Sequence, residues 1–220
     1  GIVVAEHARR HEIELKDTTA VIQGFGNVGF HAAQALAALG VRVIAVSDSR
    51  SAVRRDKGID LDALSAQKRT RGSLKDAEGH EAIEPDTLFE IPCDYLVPAA
   101  LGDAIHAGNV DRVACHTLVE GANAPVTTEA DLALRDRGVT IIPDILANAG
   151  GVIVSYFEWV QNLQRLVWPR AQVDAELERI LGQATRDVLT HAAETGLDLR
   201  AAAFDIAVKR VKEALDVTGF

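Results

Sequence analysis

The sequence of 220 residues holds only two cysteines, Cys93 and Cys115, which show no C-x-x-C spacing and no neighbouring histidine at metal-ligand intervals. That scarcity excludes a disulfide scaffold and a cysteine-based metal site, leaving buried reduced thiols as the expectation. No apolar stretch approaches the roughly eighteen residues of a membrane span, and the first residues show no signal-peptide pattern. A soluble, cytoplasmic chain that does not enter membranes is therefore expected. Positive charge is short as well: 23 Lys and Arg against 32 Asp and Glu leave a formal charge of −9 at pH 7. Non-specific nucleic-acid binding needs a basic surface, so nucleic acid is not expected as a partner. Internal repeats, linkers and low-complexity tracts are absent too, so nothing marks a domain boundary. What remains is ordinary globular composition, long enough for a core that needs no staples.

The stretch around which the rest is organised is Gln23-Gly24-Phe25-Gly26-Asn27-Val28-Gly29. It lies between an apolar run ending at Ile22 and a helical pattern opening at Val28. In a phosphate-binding turn of this kind the first glycine permits the tight turn and the second lets the backbone approach a pyrophosphate. The third allows the new helix to pack closely on the sheet. Unpaired N–H groups and the partial positive charge of the helix N-terminus favour a bound anion. The motif alone is weak, but Asp48 closes the next apolar run and lies 19 residues beyond Gly29. A ribose-binding carboxylate is expected about 20 residues on.

Read in order, residues 2–11 have helical spacing but no N-cap, as if a helix had begun earlier. A strand follows from Thr18 to Gln23, and then a helix with Val28, Ala32, Leu36 and Leu39 on one face, stopped at Gly40. The nearly continuous β-branched run Arg42 to Asp48 fits a parallel strand covered on both faces. Arg50, Arg54, Arg55, Asp56 and Lys57 read as a charged loop, either solvated or in contact with a cofactor phosphate. A helix is expected from Asp60 to Arg69, loops from Gly72 to Pro92 with a brief helix near Asp86 to Phe89, and strands at Asp94–Pro98, Thr117–Glu120 and Val139–Pro143. Helices near Asp103–Val113 and Thr128–Arg137 connect them. This alternation predicts an α/β fold, a doubly wound, mostly parallel sheet of Rossmann type with C-terminal helices. Those helices are expected over Ala149–Gln164, Ala171–Glu194 and Asp198–Val217. Apolar stripes run along the second (Val173, Leu177, Ile180, Ala184, Val188) and the third (Phe204, Ala207, Val211, Leu215).

Ligands of open α/β sheets bind outside the carboxyl ends of the strands. The five loops there are Gly24–Gly29, Asp48-Ser49, Ala99-Ala100-Leu101, Gly121-Ala122-Asn123 and Asp144–Gly151. Small residues let a flat ligand lie against backbone, and Asn123 and Asn148 offer donors and acceptors suited to ribose hydroxyls and a carboxamide. Either asparagine alone could equally be a cap or turn residue. The cofactor-binding set expected is Gly24, Phe25, Gly26, Asn27, Val28, Gly29, Asp48, Ser49, Ala99, Ala100, Asn123 and Asn148, with no metal. Asp48 favours NAD, because a carboxylate repels the 2′-phosphate of NADP. NADP is the alternative if Arg50, Arg54 or Arg55 reaches that phosphate.

These motifs resemble the cofactor-binding half of glutamate dehydrogenase, within the amino-acid dehydrogenase family. The resemblance covers the chain and rests on the glycine turn, Val46-Ser47-Asp48-Ser49, Val97-Pro98-Ala99-Ala100, Glu120-Gly121-Ala122-Asn123 and Pro143–Gly151, extended by Ser155-Tyr156-Phe157-Glu158-Trp159-Val160-Gln161-Asn162. It implies reversible oxidative deamination of L-glutamate to 2-oxoglutarate and ammonia with hydride passing to a nicotinamide. It also implies Val152 and Ser155 facing the substrate. A hydroxyl at Ser155 would discriminate against apolar side chains, although it could also simply back-bond within its helix. Tyr156, Phe157 and Trp159 are expected to pack rather than to cage a ligand.

In the family a lysine in a glycine-rich loop and an aspartate of a preceding substrate domain do the proton chemistry. None of Lys16, Lys57, Lys68, Lys75, Lys209 and Lys212 lies in such a loop, so no catalytic residue is expected here. The resemblance thus implies one dinucleotide-binding domain over residues 1–220, helical at 1–12 and 149–220. It would be a fragment inactive alone, with residues 198–220 packing towards a missing N-terminal domain and the apolar stripe Phe204 to Leu215 partly exposed. The full-length protein is expected to be a homo-hexamer. A relative acting on another amino acid, or a free-standing non-catalytic dinucleotide-binding module, remains the competing expectation.

Overall fold

A computed structural model describes residues 1–218, so residues 219 and 220, at the end of the expected helical region, lie outside the described residues. The helices in chain order are α1 (Ile2–Arg10), α2 (Asn27–Ala38), α3 (Leu61–Arg71), α4 (Thr128–Asp136), α5 (Asp144–Ala147), α6 (Gly150–Gln164), α7 (Arg170–Thr195) and α8 (Leu199–Thr218). The strands are β1 (Thr19–Gln23), β2 (Arg42–Ser47), β3 (Ala52–Arg54), β4 (Glu81–Ile83), β5 (Cys93–Pro98), β6 (Cys115–Val119) and β7 (Thr140–Ile142). The chain divides into two compact units, one of Gly1 with Glu12–Asp144 and one of Ile2–His11 with the chain from Ile145 onward.

The first unit is a seven-stranded sheet in the order β4-β3-β2-β1-β5-β6-β7. β2, β1, β5, β6 and β7 are parallel, and β3 and β4 add an antiparallel edge. The direction of winding reverses at β1, which puts a topological switch point between β1 and β5. Successive residues of β1 serve opposite faces: Val21 joins a buried cluster with Leu88, Phe89, Ala130 and Leu134, whereas Ile22 lies under Gly29 of α2. A strand covered on both sides has no polar face, which is why Ala20, Val21 and Ile22 are all fully buried. On α2 the buried face is Gly29, Ala33 and Leu36. Val28, expected there, is 54% exposed. Its end matches expectation: Gly40 has φ +92, and the Val41 and Gly40 N–H groups bond the Leu36 and Ala37 carbonyls, the Schellman pattern.

Two expectations are corrected. The charged segment after Asp48 and the loops before Pro92 contain β3 and β4, each of three residues. The helix expected over Asp103–Val113 is an irregular loop with one 3₁₀ turn at Val110–Arg112. There the Asn109 side chain accepts from the His106 N–H and donates to the Ala104 carbonyl, building a turn, while Ile105 bridges Val126 as extended chain. Cys93 and Cys115 are free and buried in register on adjacent strands, as expected. Burial pushes both thiols up, Cys115 to about 12.

In the second unit α7 packs against α1, α6 and α8. Its most buried residues are Leu181, Gly182, Thr185, Val188, Leu189 and Ala192, so the stripe is displaced towards the C-terminus from the one expected. Gly182 explains the shift, because a Cβ there would lie 3.3 Å from Glu6 Oε1 and 3.9 Å from Ile2 Cγ2, on α1. A salt bridge between Arg186 and Glu6 joins the same pair of helices. On α8, Ala202 and Ala203 are buried, while Phe204, Val211 and Leu215 are 51%, 61% and 47% exposed.

Candidate cofactor site

Backbone hydrogen bonds lock the exits of the parallel strands in series. Ala99 N–H donates to the Gln23 carbonyl (2.8 Å), Gly121 and Ala122 N–H donate to the Pro98 carbonyl (3.0 and 2.9 Å), and Glu120 N–H donates to the Ile142 carbonyl (3.0 Å). Each loop of the carboxyl edge is thereby fixed to its neighbour. On the other side of β1, the Gly24 N–H donates to Ser47 Oγ at 3.3 Å.

The three glycines of the turn are needed for three separate reasons. Gly24 has φ +94, and a Cβ on it would lie 2.8 Å from the Ala100 Cβ and 3.0 Å from the Ala99 carbonyl. A Cβ on Gly29 would fall 1.7 Å from the Gly24 carbonyl oxygen, so α2 sits on the turn only because Gly29 has no side chain. A Cβ on Gly26 would meet nothing within 4 Å. The space over Gly26 is open, a cradle that the protein's own packing does not require. Asn27 and Val28 are exposed beside it, and Phe25 is buried, edge to face with Phe30 at 5.5 Å. No side chain caps α2, which leaves first-turn N–H groups directed at the cradle. These residues fit a pyrophosphate.

Lys68 of α3 is a member of this site that the sequence did not reveal. Its Nζ donates to the Phe25 carbonyl at 2.6 Å and lies 5.9 Å from the centre of the Phe25 ring, bringing a positive charge to the turn. The position has no motif, because only the packing of α3 against α2 delivers it.

Asp48 is occupied by its own loop. Oδ1 accepts from the Arg50 N–H, the Ser51 N–H and Ser51 Oγ, and Oδ2 accepts from the Leu74 N–H at 2.9 Å. Burial pushes the carboxyl up, but these hydrogen bonds outweigh it and hold Asp48 below the usual carboxylate range. Oδ1 carries three of these donors and Oδ2 one, so a further donor is accepted more readily on Oδ2. Ser49 and Arg50 are exposed beside it. Arg54 and Arg55 are not at this edge: β3 runs antiparallel to β2, Arg54 pairs in register with Ala45, and Arg55 N–H donates to the Ile44 carbonyl. Arg54 is also bound to Asp56 at 2.7 Å.

The first unit therefore gathers Gly24, Phe25, Gly26, Asn27, Val28, Gly29, Asp48, Ser49, Ala99, Ala100 and Asn123 along its carboxyl edge. Ala99 and Ala100 are the residues nearest the Gly24 position, and Asn123 is exposed on the loop after β6. Asn148, Val152 and Ser155 belong to the second unit. There Asn148 is half-buried and precedes α6, while Val152 is 75% exposed and Ser155 is exposed on α6. Of the three aromatics on this helix only Phe157 is core; Tyr156 and Trp159 are 56% and 57% exposed, against the expectation that all three pack. Among the described residues no cluster of three or more His, Cys, Asp or Glu could hold a metal, and no helix is long and apolar enough to cross a membrane.

Comparison with known proteins agrees with this geometry. The family model for glutamate/leucine/phenylalanine/valine dehydrogenases matches residues 1–219. A glutamate dehydrogenase of Thermotoga maritima is 45% identical over 208 residues, and the NADP-specific glutamate dehydrogenase A1 of Halobacterium salinarum is 46% identical over 209. Each alignment covers 94% of this chain and 50% of the relative, so the chain spans about half the length of these relatives. The leucine-bound hetero-hexameric glutamate dehydrogenase of Thermus thermophilus superposes with a TM-score of 0.92 at 30% identity, over 100% of this chain and 52% of that one. With a family model spanning nearly its whole length and a sheet that matches its fold, the chain belongs to the glutamate/leucine/phenylalanine/valine dehydrogenase family.

Proposed function

We propose that the chain is the NAD(P)-binding part of a glutamate dehydrogenase, which converts L-glutamate reversibly to 2-oxoglutarate and ammonia. The observation that carries the reading is the empty space over Gly26, between two glycines that the protein's own packing demands. Gly24 to Gly29 and the α2 N-terminus hold the pyrophosphate, and Lys68 adds positive charge beside it. The Asp48 side of β1 takes the adenosine ribose. Ala99, Ala100 and Asn123 then meet the nicotinamide half, because a dinucleotide crosses the switch point from one side of β1 to the other. The bound cofactor supplies the hydride acceptor. Asn148 joins the cofactor contacts, and Val152 and Ser155 face the substrate, with the Ser155 hydroxyl selecting a side-chain carboxylate.

We assign NAD as the preferred cofactor, because an ionised Asp48 keeps its charge at the ribose and carries only one donor on Oδ2, the oxygen that a hydroxyl can join. The other half of the relatives' length is the source of the catalytic lysine and aspartate. The 220 residues then bind dinucleotide without turning over glutamate, and the whole protein assembles as a hexamer in the cytoplasm. NADH fluorescence titration of the chain, run beside a glutamate-dependent NAD and NADP reduction assay, tests the reading. Binding without turnover is expected, and measurable turnover contradicts it.

A further inference from the structure

The loop carrying Asn123 is held by a relay of two carboxylates. Glu120, at the end of β6, is fully buried, and its Oε2 accepts from the Asp144 N–H at 2.7 Å. Asp144 in turn accepts from the Ala124 N–H, on Oδ2, at 2.8 Å. Ala124 has φ +43, the left-handed region that a residue with a Cβ enters at a cost, and its carbonyl accepts from the Asp103 N–H at 2.9 Å. On the other side of Asn123, the Ala122 N–H is bonded to the Pro98 carbonyl. Both neighbours of Asn123 are thus pinned, one to β5 and one through Asp144 to Glu120 at the end of β6, while Asn123 itself is exposed.

A loop needing only to connect β6 to α4 would require neither a buried carboxylate nor a left-handed alanine. We propose that Asp144, held in place by Glu120, is a positioning residue that presets Asn123 for the nicotinamide half of the dinucleotide. Preorganisation of this kind spares the loop its ordering cost when ligand binds. The proposal rests on the cofactor reading above and adds the residues that aim one of its contacts.

The test compares NADH with ADP, which has the adenosine and pyrophosphate but neither the second ribose nor the nicotinamide, by calorimetric titration of the 220-residue chain. Asp144→Ala is expected to weaken NADH about tenfold and to leave ADP within about twofold, the loss of one well-aimed hydrogen bond. Asp144→Asn, which keeps an acceptor for the Ala124 N–H, is expected to restore most of the NADH affinity. Equal losses for both ligands, or an unchanged NADH affinity in Asp144→Ala, overturn the positioning role while leaving the cofactor reading intact. Failure of the unsubstituted chain to bind either ligand overturns both.

Hydrogen exchange on the unsubstituted chain gives a second measurement if Asp144→Ala does not fold. The Ala124 amide is expected to be protected before NADH is added. Rapid exchange that slows only with ligand would show that the tie is not formed in advance, and would overturn the proposal.

Discussion

A methyl group added at each glycine of the turn has a different consequence. At Gly29 it would collide with the Gly24 carbonyl, and Gly29→Ala is expected to cost about 3 kcal/mol of stability, the upper range for overpacking. At Gly26 it meets nothing, so Gly26→Ala is expected to melt with the unsubstituted chain and yet to bind dinucleotide at least about tenfold more weakly, since the methyl occupies the cradle. Thermal melts beside titrations separate the two; equal losses of stability would mean that Gly26 is structural.

Acid sensitivity is also set by single residues. Asp94 Oδ2 accepts from the N–H and Oγ1 of Thr19, tying the start of β1 to β5. Burial raises the Asp94 carboxyl, but the bonds from Thr19 and His116 outweigh it and leave its pKa below the ordinary 3.8. A carboxylate depressed in the fold gives stability that is present above its unfolded pKa and lost as pH falls through the folded one. Unfolding below about pH 4 is therefore expected to be shallower in Asp94→Asn, as denaturant titrations at stepped pH would show.

The elements show how far the sequence could be read. β1, β2, β5, β6 and β7 were legible because strands covered on both faces are short apolar runs, and the turn because its glycines answer to separate constraints. β3 and β4 were not: three residues containing Arg54 or Glu81 show no period, and their pairing, β3 on β2 and β4 on β3, comes from tertiary structure. The antiparallel pairing of β3 with β2 takes Arg54 and Arg55 away from the Asp48 edge, leaving Arg50. Arg50→Ala is accordingly expected to weaken NADP more than NAD, and Arg54→Ala to change neither. An effect of Arg54→Ala on NADP alone would contradict the assignment. Lys68 was hidden for a related reason, since a single lysine on a helix face has no meaning until α3 is placed.

In the helical unit, His7 of α1 is 3% exposed with no hydrogen-bond partner for Nδ1. Burial, with a smaller contribution from His11, lowers it from 6.5 to about 4. The unfolded chain then takes up a proton in that window and the folded chain does not, so stability falls as pH drops from about 6.5 towards 4. The loss is on the order of 3 kcal/mol. Urea titrations at pH 7 and pH 4.5 are expected to show it in the unsubstituted chain and not in His7→Leu.

For the whole chain, the sheet unit holds the loops on which a dinucleotide would lie, and the helical unit holds Asn148, Val152 and Ser155. Membership of the family was legible from motifs alone, because the carboxyl edge of the sheet concentrates glycines, asparagines and a carboxylate at strand ends. The bonding of Asp48 was not, since one of its hydrogen bonds comes from a residue as distant in sequence as Leu74. Calorimetric titration of the chain with NAD and, separately, NADP at fixed salt tests the cofactor site and the role of Asp48 together. One-site binding, tighter for NAD and weakened at least about tenfold in Gly26→Ala, is expected. Tighter NADP binding would contradict the role given to Asp48, and no binding of either would contradict the cofactor site itself.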